Sequence, residues 1–207
     1  MAFIALGQWQ SHRADEKRAI RALLDDTRLT ADLPAAPIDA KALAWKRVAV
    51  RGEFVAERTV FLANKLRHGQ PGYEVVTPLR LAGSEWHVLV ARGWTGKTDG
   101  MRTPGGLVRV EGIALEHLPR VLQAGAEAKG AVRQNLDLAA FAAESGLRLQ
   151  PIVIEQHSPL DDGLAREWPR PDLGIEKHES YAVQWYALAA LAVALAVGLS
   201  FRRVSQG

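Results

Sequence analysis

A long apolar run lies near the C-terminus of this chain. From Tyr181 to Phe201, 21 residues follow one another without a charge. A helix of that length spans roughly 30 Å, which matches the hydrocarbon core of a bilayer. A buried core helix is the alternative, but soluble helices normally keep one polar face for water. The run therefore predicts a transmembrane helix over residues 178–201, followed by a tail at 202–207.

The residues that flank this run predict its orientation. Aromatic rings at its start favour the headgroup layer, and arginines at its end favour the cytoplasmic side under the positive-inside rule. These residues are Tyr181, Trp185 and Tyr186 at the start, and Arg202 and Arg203 at the end. The preceding domain, residues 7–177, is then expected to lie outside the cytoplasm.

The N-terminus offers only a short apolar segment. Residues 1–6, MAFIAL, are too few to cross a bilayer and are short for a signal sequence. A domain outside the cytoplasm requires a signal or an earlier span. We therefore expect residues 1–6 to be the remnant of a truncated first transmembrane helix. The alternative is a tail-anchored protein with a genuine start at Met1 and its domain in the cytoplasm.

Composition excludes several classes of site. The chain has 207 residues, enough for one domain with accessory segments, and it has no cysteine. Disulfides, thiolate metal sites, cysteine nucleophiles and haem attachment through cysteine are therefore excluded. The net charge is +3, but the basic residues are scattered, so no nucleic-acid partner is predicted.

The middle of the chain predicts a small β-structure. Six segments alternate apolar and polar residues and are separated by turn residues. They cover residues 46–55, 58–66, 69–81, 85–94, 106–115 and 147–156. The predicted fold class is α+β: a small antiparallel β-barrel or curled sheet with flanking helices, followed by the C-terminal transmembrane helix.

Two helices are predicted beside the strands. Residues 135–146 form a short helix that Asn135 or Asp137 caps and Gly146 ends. Residues 9–29 form a longer one, and residues 30–40 a loop.

The longer helix carries a distinctive face. Trp9, Arg13 and Lys17 recur every four residues and would lie on one side. A tryptophan with two cations suits the exit of a span into the headgroup layer, and a plain solvated helix shows the same pattern.

One segment resembles a phosphate-binding loop. The string ARGWTGKT ends in Gly-Lys-Thr, but Ala91 stands where that motif needs a glycine. Arg92 and Trp94 are instead expected to end a strand and cover the barrel mouth, either by packing or by contacting a partner.

A hydrolytic triad is also incomplete. Ser158, His157 and Asp161 lie close in sequence, but adjacent side chains rarely face one another, and the chain has no G-x-S-x-G elbow. We predict no catalytic residues and no enzymatic activity.

His178 precedes the apolar run by three residues. On a helix it would share a face with Tyr181 and, two turns on, with Trp185. An imidazole among aromatic rings at a membrane boundary is a candidate axial ligand of haem iron. The alternative is an interfacial histidine that only anchors the span.

Four short segments occur in an order that resembles one family of membrane proteins. They are LGQWQSHRADEK, GQPGYEVVTPL, VLVARGW and HESYAVQWYALA. Together they look like the Surfeit locus protein 1 family, which assists assembly of haem-copper cytochrome c oxidase. The resemblance runs from Leu6 to the last span. It implies two spans, with the domain between them in the periplasm or the intermembrane space.

The resemblance also implies roles for residues. The family's proposed haem a ligand is the histidine before the second span, which corresponds to His178. The contacts implied for haem a are His178, Tyr181 and Trp185, in a motif that also contains Gln184. The family's first motif maps onto Gly7, Trp9, Gln10, Arg13 and Lys17, and its Arg-Gly-Trp onto Arg92, Gly93 and Trp94. Contacts with a partner are expected at Trp9, Arg13, Lys17, Arg92 and Trp94.

The function implied is that of an assembly factor that assists haem a insertion into, and maturation of, the catalytic oxidase subunit. The alternative is a membrane-anchored chaperone that holds the nascent subunit without binding haem. The expected partners are that subunit, membrane lipids and haem a synthase. The expected location is the bacterial inner membrane with the domain facing the periplasm, or the mitochondrial inner membrane in a eukaryote.

Overall fold

The computed structural model describes residues 2–26, 28, 31–34, 36–120, 130–169 and 173–204. In chain order the elements are α1 (Ala2–Asp25), β1 (Ala31–Asp32), α2 (Ala40–Leu43), β2 (Arg47–Phe54), a 3-10 helix (Ala56–Arg58), β3 (Val60–Leu62), β4 (Tyr73–Leu81), β5 (Trp86–Thr95), β6 (Val108–Leu115), β7 (Val132–Arg133), α3 (Leu138–Ser145), β8 (Arg148–Gln156) and α4 (Ile175–Val204).

These elements form two compact units. The helical unit comprises Met1–Asp25 and Arg170–Gly207, and the barrel unit comprises Asp26–Pro169. The sequence predicted one domain over residues 7–177. In the structure, residues 7–25 belong to α1, and α4 begins at Ile175, three residues before the predicted start of the span. The domain bounds themselves stay a prediction.

Five strands of the barrel unit close into a ring. Strand β2 pairs with β6, β6 with β8, β8 with β5, β5 with β4, and β4 pairs back with β2. The β5–β8 pair is parallel and the other four are antiparallel. The predicted small barrel with flanking helices is therefore confirmed. The parallel pair is a departure from the antiparallel barrel that alternation had predicted.

The predicted strand segments contain all of β2, β3, β4, β6 and β8, and the segment 85–94 contains all of β5 except Thr95. The two-residue strands β1 and β7 and the short helix α2 were not predicted. Each is too short to show a period in the sequence. Strand β1 lies parallel to β2, and β7 lies parallel to β3. These two short strands depend on hydrogen bonds to the strands beside them.

The predicted short helix is confirmed as α3, and the structure decides its cap. The side chain of Asp137 accepts a hydrogen bond from the backbone N–H of Ala140 at 3.0 Å. Gly146 ends the helix in the left-handed conformation, at φ 72°. Asp137, rather than Asn135, is therefore the cap.

The core of the barrel unit consists of two apolar clusters. The first fills the barrel interior, because all five ring strands contribute to it: Val48, Val50, Leu79, Leu81, Val88, Val90, Val110, Ala114, Ile152 and Ile154. The second cluster contains residues on the opposite faces of β5 and β8, such as Leu89 and Val153, together with residues of β3 and α3. Strands β5 and β8 are thus covered on both faces at residues 88–91 and 152–154, which explains the short continuous apolar runs there.

Ring closure takes place at Gly52 of β2. Gly52 pairs with Val108 of β6 and also with Leu81 of β4, so β2 changes partner there. A Cβ atom at this position would lie 2.1 Å from the carbonyl oxygen of Arg80. Only a residue without a side chain allows the two backbones to approach this closely.

We expect Gly52→Ala to lower the free energy of unfolding by about 1–3 kcal/mol, because the added methyl must displace a backbone carbonyl. Urea unfolding of the full chain in detergent, followed by tryptophan fluorescence, measures this change. Gly105→Ala is the matched control, since a Cβ there meets no atom within 4 Å. Equal stability of the two variants would contradict the role of Gly52 in closure.

Among the described residues, one helix is long and apolar enough to cross a membrane. It covers Ile175–Gly198, with a mean hydropathy of 1.6. Only 6% of its apolar window is buried, which argues against the buried core helix. Length and composition are therefore consistent with a membrane protein, and the orientation of the span stays a prediction.

Candidate functional site

Within the helical unit, α1 and α4 pack against each other in antiparallel directions. The ring of Phe3 stacks on Trp185, with centroids 5.9 Å apart and an interplanar angle of 17°. Farther along α1, Arg18 forms an ion pair with Glu179. The carboxylates of Glu179 and Asp15 raise the pKa of the Arg18 guanidinium. A residue farther along α1 thus contacts a residue nearer the start of α4, as expected for two antiparallel helices.

Small residues allow the two helices to approach closely. A Cβ atom on Gly7 would lie 2.6 Å from the Cε1 atom of Tyr186, so the tyrosine ring occupies the space that a side chain would need. Ala14 of α1 and Ala182 of α4 are both buried. Gly7 and these two alanines thus contribute little side-chain volume to the facing sides of the helices.

Polar contacts also lie on the seam, the surface along which α1 packs on α4 and which includes Gly7, Gln10 and Ala14 of α1. The Nδ1 atom of His178 lies 2.7 Å from the Oε1 atom of Gln10. Gln10 is only 9% exposed, and His178 is half-buried. The hydroxyls of Ser11 and Tyr186 lie 3.4 Å apart. The imidazole is therefore held from one side by a buried amide.

The structure separates the three residues predicted to contact haem. His178 and Trp185 both contact α1, through Gln10 and Phe3 respectively. Tyr181 is 51% exposed. The structure thus brings two of these residues to the same seam and leaves the third at the surface. Their contact with haem stays a prediction.

The face formed by Trp9, Arg13 and Lys17 differs from the seam. Trp9 is 53% exposed, and Lys17 is half-buried. Arg13 donates to the Glu16 carboxylate at 2.8 Å, and this bond lowers the pKa of Glu16. A contact of this face with a partner stays a prediction.

Gln10 is the site residue that reasoning from spacing missed. Gln10 was named only as one residue of the first motif that resembles the family, with no role assigned to it. Gly7, Gln10 and Ala14 are spaced by three and four residues, the spacing of one helix face. That spacing signals a seam, but it does not identify the partner of Gln10.

In the barrel unit, Arg92 is fully buried. It is the extra residue of a β-bulge in β5, between the pairs Val76–Ala91 and Val75–Gly93. Bulges re-aim a side chain out of the normal alternation. Burial lowers the pKa of the Arg92 guanidinium, although its bond to Asp162 acts in the opposite direction.

The partners of Arg92 all lie within the barrel unit. Its guanidinium donates to a carboxylate oxygen of Asp162 at 2.9 Å and to the Thr103 hydroxyl at 2.8 Å. It also donates to the carbonyl of Arg102 at 2.7 Å and lies 4.7 Å from the Phe54 ring centroid. The geometry favours the packing alternative for Arg92, and its partner contact stays a prediction.

Trp94 is half-buried and is also bound inside the barrel unit. Its indole N–H donates to the carbonyl of Lys65 at 2.7 Å. Its backbone exchanges hydrogen bonds with Ala165 at 2.7 and 2.9 Å. Trp94 therefore ties two loop segments to the end of β5, and part of its ring remains available at the surface.

The residues of the imagined hydrolytic triad have other partners. The Ser158 hydroxyl accepts a hydrogen bond from the backbone N–H of Glu111 at 3.0 Å. The Nε2 atom of His157 lies 3.0 Å from the Glu155 carboxylate. Asp161 is fully exposed, 3.8 Å from Arg102. The geometry gives no support to a hydrolase.

Asp162→Ala should lower the free energy of unfolding by about 3–5 kcal/mol, because it leaves Arg92 buried without a counter-charge. Asp162 is 1% exposed and also accepts from Arg166 at 2.6 Å. Urea unfolding of the full chain in detergent reports the change.

Asp161→Ala is the matched control for that measurement. Its side chain is 101% exposed, so its removal should change stability by less than about 0.5 kcal/mol. If the two variants unfold at the same urea concentration, the buried pair does not stabilise the barrel unit.

Comparison with known proteins agrees with the four recognised segments. A model described as the SURF1 family matches residues 1–190. A SURF1-like protein of Monosiga brevicollis is 26% identical over 217 residues, covering 94% of this chain and 82% of that protein. The match to the family model includes all of α1, the barrel unit and His178. The resemblance is confirmed, and the chain belongs to the SURF1 family.

Proposed function

We propose that this protein is an assembly factor for haem-copper cytochrome c oxidase that assists haem a insertion into the catalytic subunit. Membership of the SURF1 family supports a role in oxidase assembly. The observation that carries the haem-specific part is the hydrogen bond between His178 and Gln10, because it leaves the other imidazole nitrogen for a ligand.

The residues around His178 fit a single contact to haem iron. In the described part of the chain, no group hydrogen-bonds to the Nε2 atom. The described residues also contain no group of three or more metal-ligating side chains. A bare ion normally needs several protein ligands, whereas a porphyrin itself supplies four nitrogens, so a single imidazole would suffice to hold it. The donor set thus favours haem over a bare ion.

Aromatic side chains provide apolar surface farther along the same helix as His178. Trp185 lies about two turns along α4 and stacks on Phe3, and Tyr186 packs on Gly7. Flat apolar rings suit the face or edge of a porphyrin and exclude water from it. When bound, haem a would supply its iron to Nε2, while the chain's own residues bind, orient and shield the cargo.

Ligation by one protein side chain also suits a transfer role. A carrier must hold its cargo and then release it, and a single axial bond is easier to exchange than two. The recipient is proposed to be the catalytic oxidase subunit, and the donor a haem a synthase. The proposed site of action is the bacterial inner membrane with the barrel unit in the periplasm, or the mitochondrial inner membrane in a eukaryote.

A chaperone that binds no haem is the second candidate. The exposed Trp9 beside Arg13 favours it, because a tryptophan next to a cation suits a protein or headgroup contact. In that case the bond from His178 to Gln10 only ties the two helices together.

His178→Ala should remove bound haem, because it removes the axial nitrogen. The measurement is the absorbance spectrum of the full chain, purified in detergent from cells that make haem a. His12→Ala is the matched control, since His12 is an exposed histidine of α1. We expect the wild-type and His12→Ala proteins to show a haem spectrum and His178→Ala to show none.

Oxidase maturation separates the two candidate functions. In cells that lack their own family member, His178→Ala should fail to restore haem a in the oxidase, while His12→Ala restores it. Full haem occupancy in purified His178→Ala would contradict the ligand assignment. Restoration by a protein that never carries haem would favour the chaperone.

A further inference from the structure

We infer that Gln10 is a positioning residue that fixes the tautomer of His178 and leaves Nε2 as the ligating nitrogen. This inference rests on the proposed function. It starts from one distance, the 2.7 Å between the Nδ1 atom of His178 and the Oε1 atom of Gln10.

Donor and acceptor chemistry decides which nitrogen carries the proton. The Oε1 atom of Gln10 is a carbonyl oxygen and can only accept. The Nδ1 atom of His178 must therefore donate, which requires a proton on Nδ1. In the neutral ring the lone pair then lies on Nε2. An imidazole ligates iron through a lone pair, so the bond to Gln10 selects the ligating atom.

Close packing of α1 and α4 shields this hydrogen bond from water. Gly7 and Ala14 lie on either side of Gln10 along α1, and Ala182 lies one turn beyond His178 on α4. All three are buried, so the helices approach closely and exclude water from the amide. With little water to compete, the amide oxygen keeps its hold on the Nδ1 proton.

The same bond affects the electronic character of the ligand. A histidine ligand whose other nitrogen donates to an oxygen becomes a stronger base, and its ring orientation is fixed. Loss of such a partner typically weakens metal affinity about 10–100-fold. We expect Gln10 to act on haem in this way without touching it.

The first test uses the protein without haem. The full chain is labelled with ¹⁵N-histidine in detergent, and the His178 signals are identified by their loss in His178→Ala. With the ring neutral, we expect the ¹⁵N shifts to show the proton on Nδ1. A proton on Nε2 in the wild-type protein would overturn the inference, and this measurement does not depend on the folding of a variant at Gln10.

The second test uses haemin and haem a as probes. Gln10→Leu removes the acceptor at similar volume, and Gln10→Glu replaces it with a charged acceptor that strengthens the bond. We expect Gln10→Leu to weaken haem binding about 10–100-fold and to raise the reduction potential of the bound haem. Gln10→Glu should retain binding and lower the potential, since a more basic ligand stabilises ferric iron.

Gln8→Leu is the matched control, since Gln8 is exposed on the same helix. It should leave affinity and potential unchanged, and circular dichroism should show that all the variants keep their helix content. Wild-type affinity and potential in Gln10→Leu would overturn the role of Gln10. If His178→Ala still loses haem in that case, the proposed function stands and only this inference fails. If His178→Ala keeps haem, the ligand assignment itself fails.

Discussion

The helical unit depends on the close approach of α1 and α4 at Gly7. The ring of Tyr186 fills the space that any side chain at Gly7 would need. This contact brings the two ends of the sequence together and places Gln10 opposite His178. Without it, a half-buried histidine near the start of the candidate span would lose this fixed partner. The chemistry proposed for His178 therefore depends on a glycine, Gly7, on the other helix.

The barrel unit depends on buried charges as well as on apolar clusters. Asp162 binds Arg92 and Arg166, and in a second network Glu74 binds Lys65 and Arg67 at 3.1 and 2.6 Å. Each carboxylate therefore compensates two cations. Breaking such a pair is costly, because it leaves a charge in the interior. The Asp162 network holds the loops after β5 and β8 against the ring, and the Glu74 network holds the segment between β3 and β4.

Local patterns predicted most of the elements but not how they pair. Alternation located the segments of β2, β4, β5 and β6, and each of these strands contributes one face to the barrel interior. Strands β5 and β8 both follow that pattern, yet nothing in it indicates that they run parallel. Their pairing depends on where the chain returns after β6 and α3. In the same way, Asp137 and Asn135 were equal candidates for the cap until the helix geometry selected one.

The sequence singled out His178 because of its distance from a long apolar run, which is a one-dimensional property. Its partner Gln10 lies 168 residues away, and no period or motif connects two such positions. Arg92 presents the same case, since its counter-charge Asp162 lies 70 residues farther along the chain.

The candidate span, the strand segments and the type of side chain at the site can all be read from the amino-acid sequence. Hydropathy and periodicity depend on near neighbours, so a single chain displays them. The folded structure was needed to establish which nitrogen of His178 is held and that Arg92 lies inside the barrel unit. Hydrogen bonds and burial depend on distances across the fold, and close packing sets those distances.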